Sequence, residues 1–151
     1  MWKWLTVALL SMLPVVELRG AVPVGLSMGL PHLPVVIVSI LCNLLPTPFV
    51  ILCIRRVFRW LRTRAAWLER LVSRLERRAQ KKADLLYRYE LFGLYLLVAI
   101  PLPGTGAWTG ALLAALLNIR LKAAFPAIAA GVATAGVIMY VFSIGMGAVL
   151  T

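Results

Sequence analysis

Glu17 and Arg19 stand two residues apart, between the apolar runs 2–16 and 24–30. Charges so placed would lie deep in a membrane, where each costs at least about 2.5 to 3.5 kcal/mol, and a cost of that size calls for a reason. Glu17 is a candidate proton carrier. Desolvation favours its neutral acid and the charge of Arg19 favours its carboxylate, so proton binding and substrate binding can compete there. Arg19 carries a planar five-donor fork that suits a phosphate or a carboxylate. The alternative is a structural pair that satisfies itself and the interrupted backbone around Gly20 and Pro23.

A second constellation is Pro101-Leu-Pro-Gly-Thr-Gly-Ala-Trp108. Pro101 and Pro103 would stop one helix, and Gly104, Thr105 and Gly106 would free backbone N–H groups at the start of the next, where an anion can be held without a side chain. Trp108 offers a flat apolar surface to a lipidic or aromatic substrate, or packs as an ordinary ring. A third is Asn43-Leu-Leu-Pro-Thr-Pro48, which sets a side-chain amide, Pro46 and Pro48 near the middle of a long apolar run. The helix should kink or unwind there. Asn43 and Thr47 either repair the freed backbone groups or face a substrate cavity.

Other chemistries find no residues. His32 is the single histidine, and Cys42 and Cys53 lie eleven apart in one apolar run, which on a helix is about 16 Å and too far to bridge. No metal-ligand spacing and no hydrolytic triad can be built, so no metal, cofactor or catalytic residue is expected and the protein is not expected to be an enzyme. No Lys-Ser/Thr follows Gly110, which removes a phosphate-binding loop. Leu-Pro-Gly-Thr-Gly at 102–106 spells a sorting signal, but at mid-chain and membrane depth it reads as coincidence.

The elements that must position these residues follow from composition. Hydrophobic residues make up 62% of 151 and charged ones 14%, against about 45–50% and 25% in soluble chains. Mean hydropathy is +0.94. This is the composition of a membrane protein. The net charge of +11 is concentrated: positions 55–88 hold twelve Lys/Arg and three Asp/Glu. A basic connection between apolar runs is an orientation signal, and a nucleic-acid partner is not expected.

Crossing about 30 Å of hydrocarbon takes about 20 apolar residues. Runs 34–54 and 123–150 meet that length without an internal charge. The pieces 2–16 with 24–30, and 91–100 with 107–117, are each too short to cross and fit re-entrant hairpins, two half-helices that dip to mid-depth and return. Shifting the sequence by 81 residues lays Gly25-Leu-Ser-Met-Gly29 on Gly106-Ala-Trp-Thr-Gly110, so the order hairpin and span occurs twice. Arg55, Arg56, Arg59 and Arg62 place the end of the first span in the cytoplasm, while Leu150-Thr151 is uncharged and falls outside. The expected fold is therefore all-α and integral to the membrane. Two inverted-topology repeats, 1–54 and 91–151, each a re-entrant hairpin plus one transmembrane helix, flank a basic amphipathic cytoplasmic connector, 55–90. Such broken, inverted repeats are how secondary transporters place a substrate site at mid-membrane. The rival is a bundle in which each short piece joins its neighbour as one kinked span.

Within the connector, Trp60, Leu61, Trp67, Leu68, Leu71, Val72, Leu75 and Ala79 recur at helical spacing, and Arg70, Arg74, Arg78 and Lys82 repeat every four residues. That pattern suits a helix lying on anionic lipid headgroups. The apolar start, 1–16, resembles a secretory signal, but Pro14 breaks it and Glu-Leu-Arg-Gly-Ala stands where a small-x-small cleavage site belongs, so it is read as retained.

Three strings in order, Glu17-Leu-Arg-Gly-Ala-Val-Pro23, Asn43-Leu-Leu-Pro-Thr-Pro-Phe49 and Pro101-Leu-Pro-Gly-Thr-Gly-Ala-Trp-Thr-Gly110, resemble the small multidrug export protein family of bacteria and archaea. The likeness covers essentially the whole chain and implies export of toxic organic compounds across the plasma membrane. The hairpin-plus-span layout is also similar to the DedA-like group, which implies movement of a phospholipid or polyprenyl phosphate. The expectation is a multi-pass inner-membrane secondary transporter of small organic compounds, with Glu17 as the candidate for proton coupling, both termini outside and 55–90 cytoplasmic. A lipid translocase and a non-transporting scaffold are the alternatives. The expected partners are the bilayer, its anionic headgroups, a small organic or lipidic substrate and a second copy of the chain, since two full spans enclose little.

Overall fold

A computed structural model of the chain describes residues 1–62, 70, 83–101 and 105–149. The described residues are helical or connecting, with no strand among them. In chain order the helices are α1 (Trp2–Met12), α2 (Glu17–Ser27), α3 (His32–Leu44), α4 (Thr47–Arg62), α5 (Ala83–Ala99), α6 (Ala107–Leu116) and α7 (Leu121–Val149). Pro103 and Gly104 lie outside the described residues, as does most of the connector and its amphipathic repeat.

Pro14 ends α1 because it can neither donate an N–H nor continue the helix, and the chain turns over residues 13–16. Here the structure differs from the sequence expectation, which put the interruption at 17–23. Glu17, Arg19, Gly20 and Pro23 all lie inside α2. Pro23 deprives the helix of one N–H bond to the carbonyl four residues earlier and is tolerated on an exposed face. α1 and α2 form a hairpin whose open end is tied by Lys3 Nζ donating to the carbonyl of Met28 at 2.6 Å.

Two stretches, His32–Val57 and Leu121–Gly145, are long and apolar enough to cross a bilayer. The first is broken at residues 45–46, between α3 and α4, where Pro46 and Pro48 cannot donate to the preceding turn. Leu41 is 62% exposed while Asn43 is fully buried. Along the same stretch Leu33, Ile37, Leu41 and Leu45 are exposed, and Ser39, Asn43 and Thr47 are inside. An apolar exterior over a polar interior is the arrangement a lipid solvent asks for.

The core runs through Val7, Leu18, Val22, Val35, Ile51, Leu94, Val98, Ile128 and Val132. α7 is its backbone, packed on α5 and α3. A methyl on Gly131 would come within 2.9 Å of the Tyr95 carbonyl and 2.7 Å of Val98 Cβ, so α7 can touch α5 this closely only without a side chain there. Tyr95 and Thr134 hydroxyls meet at 3.1 Å across the same contact. At the far end of α6, Asn118 takes a left-handed turn (φ 55) and Ile119 N–H returns to the Ala114 carbonyl at 3.0 Å, closing the helix. Arg55 at the end of the first span donates to the Ile119 carbonyl and so joins α4 to that turn.

Candidate functional site

The first turn of α2 meets the break between α5 and α6. Glu17, 5% exposed, brings its carboxylate onto the N-terminus of α6, where Oε1 accepts from Trp108 N–H at 3.2 Å with the Ala107 N–H close by. A carboxylate is the natural occupant of that place, because the first N–H groups of a helix have no partner of their own and the helix dipole favours negative charge. The sequence marked these N–H groups as an anion site; the structure seats the protein's own Glu17 there.

Arg19 faces the other side of the break. Its Nη1 donates to the Thr105 carbonyl and, at 2.9 Å, to Thr105 Oγ1; its Nη2 donates to the carbonyls of Val98 at 3.1 Å and Ile100 at 2.9 Å. These are carbonyls at and beyond the end of α5, which lack helical partners and carry the negative end of its dipole. One turn of α2 thus holds the negative end of α5 with a cation and the positive end of α6 with an anion.

Two residues apart on a regular helix point away from one another. Glu17 escapes this because its φ is 49, a left-handed value that a glutamate rarely adopts and that costs of order 1 kcal/mol or more. The departure aims both side chains at the break between α5 and α6. The approach also demands Gly106, whose φ is 152 and on which a Cβ would fall into the Glu17 carboxylate.

Trp108 closes the site from the side, with its indole N–H donating at 3.2 Å to the Met12 carbonyl at the end of α1. Beyond its ring lies an open cavity of about 620 Å³, lined mainly by apolar side chains including Pro14, Pro46, Phe49, Val50, Trp108 and Leu112. That volume lies within the about 300–1,000 Å³ of small-molecule sites. Of the residues singled out from sequence, Glu17, Arg19, Thr105, Gly106 and Trp108 converge. Gly20 is half-buried on α2 beside them, Pro46 lies across the cavity, and Asn43 is buried in α3. Pro23 and Pro101 are exposed. The carbonyls of Met12, Val98 and Ile100 belong to the site through backbone atoms, which no residue type announces. Among the described residues no group of three or more His, Cys, Asp or Glu could hold a metal ion.

Residues 17–138 match the model of a protein family described as "putative small multi-drug export protein". No curated protein and no solved structure matches the chain.

Proposed function

The chain belongs to that small multi-drug export family, and from this premise we propose that it is a secondary transporter that exports small organic compounds in exchange for protons at Glu17. Membership and the two long apolar helices make it a membrane protein. The observation that carries the coupling is the placement of Glu17: a buried carboxylate from the first hairpin seated on α6 of the second, two residues from the arginine that holds α5. Protonation removes the charge that suits the α6 N-terminus and weakens the tie between hairpins; deprotonation restores it. Substrate occupies the apolar cavity against Trp108, entering from the lipid, and its binding is linked to the state of the tie.

In this reading 1–54 and 91–151 are units of opposite orientation, each a re-entrant hairpin with one span, and 55–90 lies on the anionic inner face of the plasma membrane. Both termini are outside, and a second copy of the chain completes the enclosure. The groups a lipid phosphate would use are engaged, Arg19 by carbonyls and the α6 N–H groups by Glu17, which favours organic export over lipid-phosphate movement.

The test is transport into proteoliposomes under a pH gradient, with ethidium as probe. Glu17→Gln keeps the shape and one acceptor for Trp108 N–H, so it should insert and fold yet lose gradient-driven flux. Undiminished flux would reduce Glu17 to a structural partner of Arg19.

A further inference from the structure

Two polar side chains of α3 that the site does not use are without hydrogen-bond partners: Ser39 Oγ, and both Oδ1 and Nδ2 of Asn43. Both residues are fully buried. Leaving such groups dry costs about 1–3 kcal/mol each, and the set includes donor and acceptor together, which a bare cation or anion cannot satisfy.

The register of the helices says what lies beside them. A methyl on Gly25 of α2 would meet Val7 of α1 and Val35 of α3 at 2.8 Å each, so these three residues are level. α2 runs opposite to α1 and α3. One turn further in, Ser11, Ala21 and Ser39 share a level; a further turn brings Glu17 level with Asn43. Ser11, Ala21 and Ser39 are all fully buried, and Ala21 sets only a methyl group between the two serines. Ser11 donates to the Val7 carbonyl at 2.7 Å and Thr47 to the Asn43 carbonyl at 3.3 Å, which leaves both hydroxyl oxygens with lone pairs to offer. By this register a polar stripe, Ser39, Asn43 and Thr47, reaches the level of Glu17 inside an otherwise apolar core.

We propose that internal water occupies the Ser39–Asn43 level and carries protons to and from Glu17. Water fits where an ion does not, since it donates and accepts at once and needs two to four polar partners. A carboxylate only 5% exposed that exchanges protons is served by such a path. The proposal rests on the reading that Glu17 exchanges a proton, and it assigns Ser39 and Asn43 as positioning residues for that transfer.

The experiment is a pH jump on the purified full chain in lipid nanodiscs, following the infrared band of the protonated Glu17 carboxyl, identified by its loss in Glu17→Gln. Asn43→Leu, with the same branching and no polar atom, should slow the rise of the band by about tenfold, equivalent to roughly 1.4 kcal/mol on the barrier, while its final amplitude is kept. Asn43→Ser, which sets a hydroxyl in place of the amide and leaves more room for water, should stay close to the parent rate. Ser39→Ala gives an independent reading and should also slow the rise. An unchanged rate in folded Asn43→Leu, or in Ser39→Ala should Asn43→Leu fail to fold, overturns the water path and leaves Glu17 coupling standing. A parent protein with no titrating Glu17 band at any pH overturns the coupling itself, and the path with it.

Discussion

Replacing Arg19 by lysine keeps the positive charge and removes the fork, and the structure says what that costs. A lysine nitrogen can take over at Thr105, whose carbonyl and hydroxyl both face Nη1. The Ile100 carbonyl keeps a second donor, Thr105 Oγ1 at 3.0 Å. The Val98 carbonyl, on a residue 1% exposed, loses the Nη2 bond and gains no water. An unpaired buried carbonyl costs about 1–3 kcal/mol. At roughly 2–4 °C per kcal/mol for a chain of this size, Arg19→Lys should lower Tm by about 2–12 °C. Arg19→Gln should cost more, about 3–5 kcal/mol, because it also strips Glu17 of its nearby cation. Combining Arg19→Gln with Glu17→Gln should therefore recover part of the loss, a coupling visible in a double-mutant cycle. The assay is thermal unfolding in detergent followed by tryptophan fluorescence. Arg19→Lys melting within about 1 °C of the parent would refute the assignment of Arg19 to the end of α5, and additive effects in the cycle would refute its coupling to Glu17.

Gly106→Ala should displace the Glu17 carboxylate and cost about 2 kcal/mol or more through strain at φ 152 alone, read as a lower Tm together with lost gradient-driven flux. With Cys42 and Cys53 replaced by serine, a cysteine at Lys3 should react with an impermeant maleimide added to intact cells and one at Leu75 should not. Labelling at Leu75 from outside would reverse the orientation drawn from the arginines.

The two long apolar stretches were legible in the sequence because hydropathy over about 20 residues is a bulk property, independent of what the helix later touches. The break at residues 45–46 was legible too, since Pro46 and Pro48 remove N–H groups wherever they stand. The turn of the first hairpin was not. Gly20 and Pro23 are strong breakers by local propensity, but packing against α1 and α3 holds α2 together, and one lost bond at an exposed Pro23 is a small cost against the burial of Leu18, Ala21 and Val22. Glu17, Arg19 and the glycine-rich tip were each marked as chemically notable. That Glu17 fills the N–H groups of α6 is a tertiary fact linking residues 91 apart, made possible by a left-handed φ that nothing in the local sequence requires. Ser39 went unmarked because a buried serine on an apolar helix ordinarily bonds its own backbone, as Ser11 does.

The central claim is that substrate and proton compete through Glu17, and proton counting tests it most directly. At a pH where Glu17 is protonated, saturating ethidium added to the purified protein in weakly buffered detergent should release up to about one proton per chain, and Glu17→Gln should bind the dye without release, as linkage between the cavity and the carboxylate requires. Binding without proton release in the parent, or the same release in Glu17→Gln, would contradict it.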